Sequence, residues 1–168
     1  MHRLYILLTV MVVMLLAVFA THEALGKVLT GTSGENTLVG TDRADHLKGG
    51  GGADHLKGRR GADHLWGGLG EDYLIGNRGA DRLWGSRGDD VIFPGKGNDK
   101  VNAGYGDDLI YARDPHGLDY IDCGPGHDQV ETIHRDDKTL SNCERTLGVS
   151  NIQTGGQHGR QHNQHGQY

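Results

Sequence analysis

From Leu38 onward an aliphatic residue returns at every ninth position. The row reads Leu38, Leu47, Leu56, Leu65, Leu74, Leu83, Ile92, Val101 and Ile110, then Ile121 and Val130 after a two-residue interruption. Two residues before each aliphatic stands an aspartate: Asp45, Asp54, Asp63, Asp72, Asp81, Asp90, Asp99, Asp108, Asp119 and Asp128, with Asn36 in the first place. Two residues before the aspartate stands a glycine, including Gly52, Gly61, Gly70, Gly79, Gly88, Gly97 and Gly106; Arg43 breaks this column. One fixed aliphatic between variable neighbours fits an extended triplet whose middle side chain points to one face and whose neighbours point to the other. The pattern predicts a series of short strands, each sending one aliphatic inward, separated by glycine turns.

Counted from Gly31, the nonapeptides begin at Gly31, Gly40, Gly49, Gly58, Gly67, Gly76, Gly85, Pro94 and Ala103. Ala112 and Arg113 interrupt the frame, which resumes at Asp114 and Cys123, so eleven repeats fit. The composition agrees: 29 of 168 residues are glycine. Glycine at that density means disorder, collagen or a repeat with a turn in each period. No glycine recurs at every third residue, which excludes collagen. The departures are Arg43 in the fourth column, Arg59, Asn77 and Ser86 in the second, and Pro94, Ala103 and Asp114 in the first.

These columns resemble the repeats-in-toxin (RTX) nonapeptide, the haemolysin-type calcium-binding repeat Gly-Gly-x-Gly-x-Asp-x-aliphatic-x, over Gly31 to about Glu131. The closing stretch from Asp119 to Asp128, followed by Cys143-Glu144, is similar to the end of secreted actinobacterial proteins with such repeats. The resemblance implies an all-β fold, a parallel β-roll wound as a right-handed solenoid. Six residues of each repeat would turn, three would form a strand, and two repeats would make one coil. The physical chemistry points the same way. Two aliphatic side chains per coil make a thin core, too small to offset the ordering entropy of so many glycines. Stacked aspartates repel without a counter-ion. Carboxylates and converging carbonyls are hard oxygen ligands of the kind Ca²⁺ takes. The expected cofactor is therefore Ca²⁺, about four to eight ions, with folding coupled to binding. One edge would use Asp45, Asp63, Asp81, Asp99 and Asp119; the other would use Asp54, Asp72, Asp90, Asp108 and Asp128. Sites near the first repeat or the Ala112–Arg113 break, and those touching Arg43 or Arg59, are expected to be the weakest.

In a roll, alternate repeats lie on opposite sheets. One outward face would carry His46, His64, Arg82 and Lys100 beside Lys48, Trp66, Trp84 and Asn102. The other would carry an apolar patch of Tyr73, Val91, Leu109, Ile75, Phe93 and Tyr111. Trp66, Trp84, Ile75, Phe93 and Tyr111 are the candidate partner face, for a cell surface or a second copy. The bland alternatives are cross-strand pairing of the tryptophans and coverage of the patch by the chain's own C-terminal segment, as a solenoid end needs a cap. His46 and His64, one coil apart, are a candidate transition-metal pair. Ice binding would need a flat threonine or asparagine ladder, which is missing.

The ends read differently. Met1-His2-Arg3 and the apolar run Leu4–Ala20 form a bacterial Sec-type signal peptide with cleavage near Ala20. Left uncleaved, that 17-residue, almost wholly apolar run would anchor the chain in a membrane. Residues 21–30 then read as a linker, 31–131 as the roll, 132–147 as a C-terminal cap and 148–168 as a disordered Gln/His-rich tail. His158, His162 and His165 fall in that tail. Cys123 and Cys143, an even pair in an exported chain, are expected to form a disulfide that tethers the cap. A net charge of −5 with no basic run along the chain argues against nucleic acid. No His-Glu-x-x-His helix and no Gly-x-Ser-x-Gly elbow is found, so no enzyme is expected. Two classes of role follow: a secreted calcium-binding roll that is structural, adhesive or buffering, or a hydrolase or toxin fragment in which the roll only stabilises.

Overall fold

The chain winds so that every strand pairs with the strand two places on in sequence. This computed structural model describes residues 25–115, 117–132, 138–139, 142–143 and 145–146. The leader, the Gln/His-rich tail with its three histidines, and most of the cap lie outside the described residues. One seven-stranded sheet is ordered β1 (Val28–Thr30), β3 (His46–Gly51), β5 (His64–Leu69), β7 (Arg82–Arg87), β9 (Lys100–Tyr105), β11 (Tyr120–Asp122) and β13 (Lys138–Thr139). The opposite sheet is ordered β2 (Thr37–Val39), β4 (His55–Arg60), β6 (Tyr73–Arg78), β8 (Val91–Lys96), β10 (Leu109–Ala112), β12 (Gln129–Thr132) and β14 (Arg145–Thr146). All pairs are parallel and in register, as in Leu65↔Leu83 and Leu74↔Ile92. The described residues contain no helix. The molecule is an all-β parallel β-solenoid.

The core is the predicted aliphatic column. Leu47, Leu65, Leu74, Leu83, Ile92, Ile110, Ile121 and Val130 are wholly buried, and Leu29 and Leu38 pack against them at the N-terminal end. Two expectations need correction. The central strands are six residues long, not three. Pairing continues through the first three turn positions, as in Gly50↔Gly68 and Gly51↔Leu69, because turn backbones stack as regularly as strand backbones. The roll also begins before Gly31: Val28–Thr30, inside the stretch read as a linker, pairs with His46–Lys48. At the other end, the described pieces of the C-terminal segment continue the roll. Lys138–Thr139 and Arg145–Thr146 add a further strand to the end of each sheet.

Cys123 and Cys143 form the expected disulfide, with Cα atoms 5.3 Å apart. Cys123 is wholly buried, and the bond ties the last full coil to the segment that extends it. Closing a loop of 20 residues restricts the unfolded chain by about 3 kcal/mol on the chain-entropy model. Cys123→Ser with Cys143→Ser is expected to lower calcium-saturated unfolding stability by that amount in a denaturant titration. An unchanged midpoint would mean the bond holds nothing that the sheets do not already hold.

Candidate metal centres along the turns

The aspartate column lies inside the roll, not on its rim. Asp45, Asp54, Asp63 and Asp128 are wholly buried, Asp72, Asp81, Asp90, Asp99 and Asp108 are within 2 % of it, and Asp119 is 3 % exposed. Each carboxylate reaches back one coil. Asp81 Oδ1 accepts the backbone N–H of Asp63 at 2.8 Å, and Asp90 Oδ1 accepts that of Asp72 at 2.8 Å. The same contact recurs from Asp45 N to Asp63 Oδ1 through Asp108 N to Asp128 Oδ1. The two edges of the roll thus each hold a row of carboxylates one coil apart, about 4.8 Å, as the parity of the repeats predicts.

The second oxygen is the informative one. Oδ2 of Asp54, Asp63, Asp72, Asp81, Asp90, Asp99 and Asp108 is buried and accepts no hydrogen bond. A buried charged oxygen left this way is costly. The same turns have a distinct backbone. From the repeat at Gly49 to that at Ala103, the second and fourth residues all have positive φ, from 77° at Asn77 to 142° at Gly79. Gly124 and Gly126 repeat the feature in the last nonapeptide. Arg59, Asn77 and Ser86 adopt this left-handed geometry at φ of 92°, 77° and 93° although they carry a Cβ, which costs strain. Successive coils also approach closely there, backbone against carbonyl. A Cβ on Gly79 would lie 1.6 Å from the Gly61 oxygen, and one on Gly97 would lie 1.7 Å from the Gly79 oxygen.

The first two turns, which the sequence marks as doubtful sites, are built otherwise, for a reason the column pattern does not give. Thr32 and Thr41 occupy the second column and have no positive φ, as expected for β-branched residues. Their N–H groups turn inward instead. Thr32 N donates to Asn36 Oδ1 at 2.6 Å, and Thr41 N and Oγ1 both donate to Asp45 Oδ2. Asp45 Oδ1 also accepts the N–H of Lys27. The Asp45 carboxylate is therefore filled by the protein, unlike those that follow. Asp114 is a second residue the column pattern did not single out. It is 5 % exposed beside the Ala112–Arg113 break, and its Oδ2 accepts the N–H of Gly97 at 2.9 Å.

Burial dominates the electrostatics. Desolvation pushes Asp90 up to about 8, against the Asp72 N–H that it accepts, and the charges of Asp108, Asp72 and Asp89 push it further. Desolvation likewise raises Asp63 and Asp99 to about 7 and Asp72, Asp81 and Asp108 to about 6. A divalent cation between turns would relieve both burial and repulsion. Among the described residues no three His, Cys, Asp or Glu side chains converge on one point. A cation here would therefore take carboxylates from two coils and complete its shell with turn carbonyls, the mixed oxygen set that suits Ca²⁺.

The outward faces hold what the parity predicts. Trp66 and Trp84 stack at 4.8 Å with planes 4° apart, and His46 lies parallel to Trp66 at 6.0 Å. His46 and His64 are 4.7 Å apart, but Nε2 of His64 accepts a hydrogen bond from Arg82 at 3.0 Å. Desolvation, with help from His46 and Arg82, lowers the pKa of His64. On the other sheet Phe93 stacks on Tyr111 at 4.7 Å and meets Tyr73 at 5.2 Å, while the Arg113 guanidinium lies 5.0 Å from the Tyr111 ring.

No curated protein and no solved structure matches the chain. The family model for the RTX calcium-binding nonapeptide repeat (4 copies) matches residues 30–65, 66–101 and 95–130. Repeats of this kind bind Ca²⁺, which fits the buried carboxylates. With the matches spanning residues 30–130, more than half its length, the chain belongs to the family of RTX calcium-binding nonapeptide-repeat proteins.

Proposed function

We propose that the chain is an exported, non-catalytic roll that Ca²⁺ folds and stiffens, and that serves as a structural or adhesive surface element. The observation that carries this reading is a coincidence along the chain: from the repeat at Gly49 to that at Ala103, the turns with left-handed second and fourth residues are those whose aspartates, Asp54 to Asp108, keep a buried Oδ2 without a hydrogen bond. The ions would sit between stacked turns of that kind. Each would take carboxylates from Asp54/Asp72, Asp72/Asp90, Asp90/Asp108, Asp108/Asp128, Asp63/Asp81 or Asp81/Asp99, with turn carbonyls completing the shell. Asp45 contributes least, since its oxygens are already filled. When bound, calcium supplies countercharge at positions the thin aliphatic core cannot stabilise. The aromatic ladders, Trp66–Trp84 on one sheet and Tyr73–Phe93–Tyr111 on the other, support an attachment role for the outward faces. Export is supported by the apolar leader and the disulfide.

Equilibrium dialysis of the full chain with ⁴⁵Ca²⁺ tests the assignment. About six ions are expected per chain, about four in Asp90→Asn, which removes a ligand from two neighbouring sites, and no change in Asp45→Asn. A stoichiometry that falls with Asp45→Asn and not with Asp90→Asn would put the ions elsewhere.

A further inference from the structure

The coil period of 18 residues gathers side chains that are scattered along the chain. On the edge holding Asp63, Asp81 and Asp99, the last residue of successive strands of one sheet is basic: Arg60, Arg78 and Lys96, in the register Arg60↔Arg78↔Lys96. All three are exposed, and Arg59 lies exposed beside them. On the opposite edge the residues before Asp72, Asp90 and Asp108 are acidic and exposed: Glu71, Asp89 and Asp107. They also repeat once per coil, and the Asp107 N–H donates to Asp89 Oδ1 at 2.8 Å. Each row has neighbours of opposite sign. Asp42 pairs with Arg60 at 3.1 Å, Arg87 sits among the acids, and His127 Nδ1 lies 3.5 Å from Asp107 Oδ1.

Like charges stacked about 4.8 Å apart repel. Neither row is neutralised by ions held inside, because both point outward. The two rows share a period, a direction and a length, and they lie on opposite edges of the same flat roll. We propose that these edges are the two halves of a side-by-side contact between copies of this chain, the basic edge of one against the acidic edge of the next. Such a contact is heterologous: the patch that binds is not the patch that is bound, so it leaves a free edge at each end and propagates as a ribbon. Individually such exposed pairs are weak. Three in register, plus the relief of repulsion within each row, make association a low-affinity, salt-sensitive event. That character suits laterally packed chains at high local concentration.

The test is sedimentation velocity of the full chain with saturating calcium, so that the roll is folded however the ions are held. At about 10 mM salt, where screening reaches only beyond about 30 Å, the chain is expected to form a concentration-dependent series of oligomers. At about 0.15 M salt, with screening over about 8 Å, association should weaken at least about tenfold. Arg60→Gln with Arg78→Gln and Lys96→Gln should be monomeric, as should Glu71→Gln with Asp89→Asn and Asp107→Asn. The amides keep the oxygen that accepts the Asp107 N–H, and far-UV circular dichroism checks that both variants fold. Mixed together, the two variants should form a dimer and nothing larger, because one intact basic edge and one intact acidic edge remain between them. A monomeric wild type at low salt overturns the proposal. So does an oligomer that survives both sets of substitutions, which would point to the Tyr73–Phe93–Tyr111 face. Binding of a polyanion such as polyglutamate to the basic edge of a monomeric chain would overturn it in favour of a different occupant.

Discussion

Chelating calcium at pH 8 is expected to unfold the roll, and acidifying the chelated sample to about pH 4 is expected to bring β structure back. Six buried carboxyls, Asp63, Asp72, Asp81, Asp90, Asp99 and Asp108, titrate at about 6 to 8 in the fold against 3.8 in the open chain. The folded state therefore binds protons more tightly than the unfolded state does. Their contribution to stability is fully present below about pH 4 and is lost as pH rises through 6 to 8. Protons and calcium do the same work at these oxygens, so they compete. The calcium midpoint should shift to higher concentration as pH falls from 8 to 5, and calcium added at pH 6.5 should release protons into a weakly buffered solution. Circular dichroism against pH, with chelator and with calcium, reads both arms. A chelated chain that is β-structured at pH 8, or that loses structure on acidification, would show that carboxylate repulsion does not govern the fold.

Gly79→Ala is expected to abolish calcium-dependent folding, while Gly34→Ala, in the same column of the repeat, is expected to be tolerated. At Gly79 φ is +142° and a Cβ would lie 1.6 Å from the Gly61 carbonyl oxygen. The clash is with backbone, and the carbonyl it would displace belongs to a turn proposed to hold an ion. Relief would require the coils to separate, at a cost well above the ~1 kcal/mol of an ordinary glycine replacement and on the order of the largest single-residue effects, above ~4 kcal/mol. At Gly34 nothing lies within 4 Å of the added carbon, and φ is not positive. Calcium titrations followed by circular dichroism would show an absent transition for the first variant and an unshifted one for the second. Equal behaviour would mean the first turn is built like those that follow.

That contrast marks where the sequence stops being informative. The aspartate and aliphatic columns were legible because they follow the geometric period of the fold. One side chain per repeat must point in, and no other arrangement buries it. The parity of the outward faces followed from the same count, and the stacked pair Trp66–Trp84 lies where that count puts it. Strand length was not legible. Whether Gly50 and Gly51 count as strand or turn depends on hydrogen bonds to the next coil, not on their own side chains. The reason Asp45 is filled was also hidden. Arg43 marks its repeat as a weak site, but what fills the carboxylate is Thr41, which has no positive φ and turns its N–H onto the oxygen. The charged edges were invisible for a third reason: a basic row spaced by 18 residues is not a basic run.

Two nonapeptides make one coil, so successive repeats face opposite ways, and this limits how such a chain can change its length. Loss or gain of 18 residues removes or inserts a whole coil. Every downstream residue keeps its face, its edge and its kind of neighbour. Loss or gain of nine keeps each aspartate and leucine in its column, so the shortened chain still winds. It also turns everything downstream over: the tryptophan column would continue into the phenylalanine and tyrosine column, and the acidic edge would run on into the basic one. Replication slippage by a single repeat would thus yield a roll that folds but whose surfaces are scrambled. The unit of folding is nine residues, and the unit of heredity for anything the surface does is eighteen.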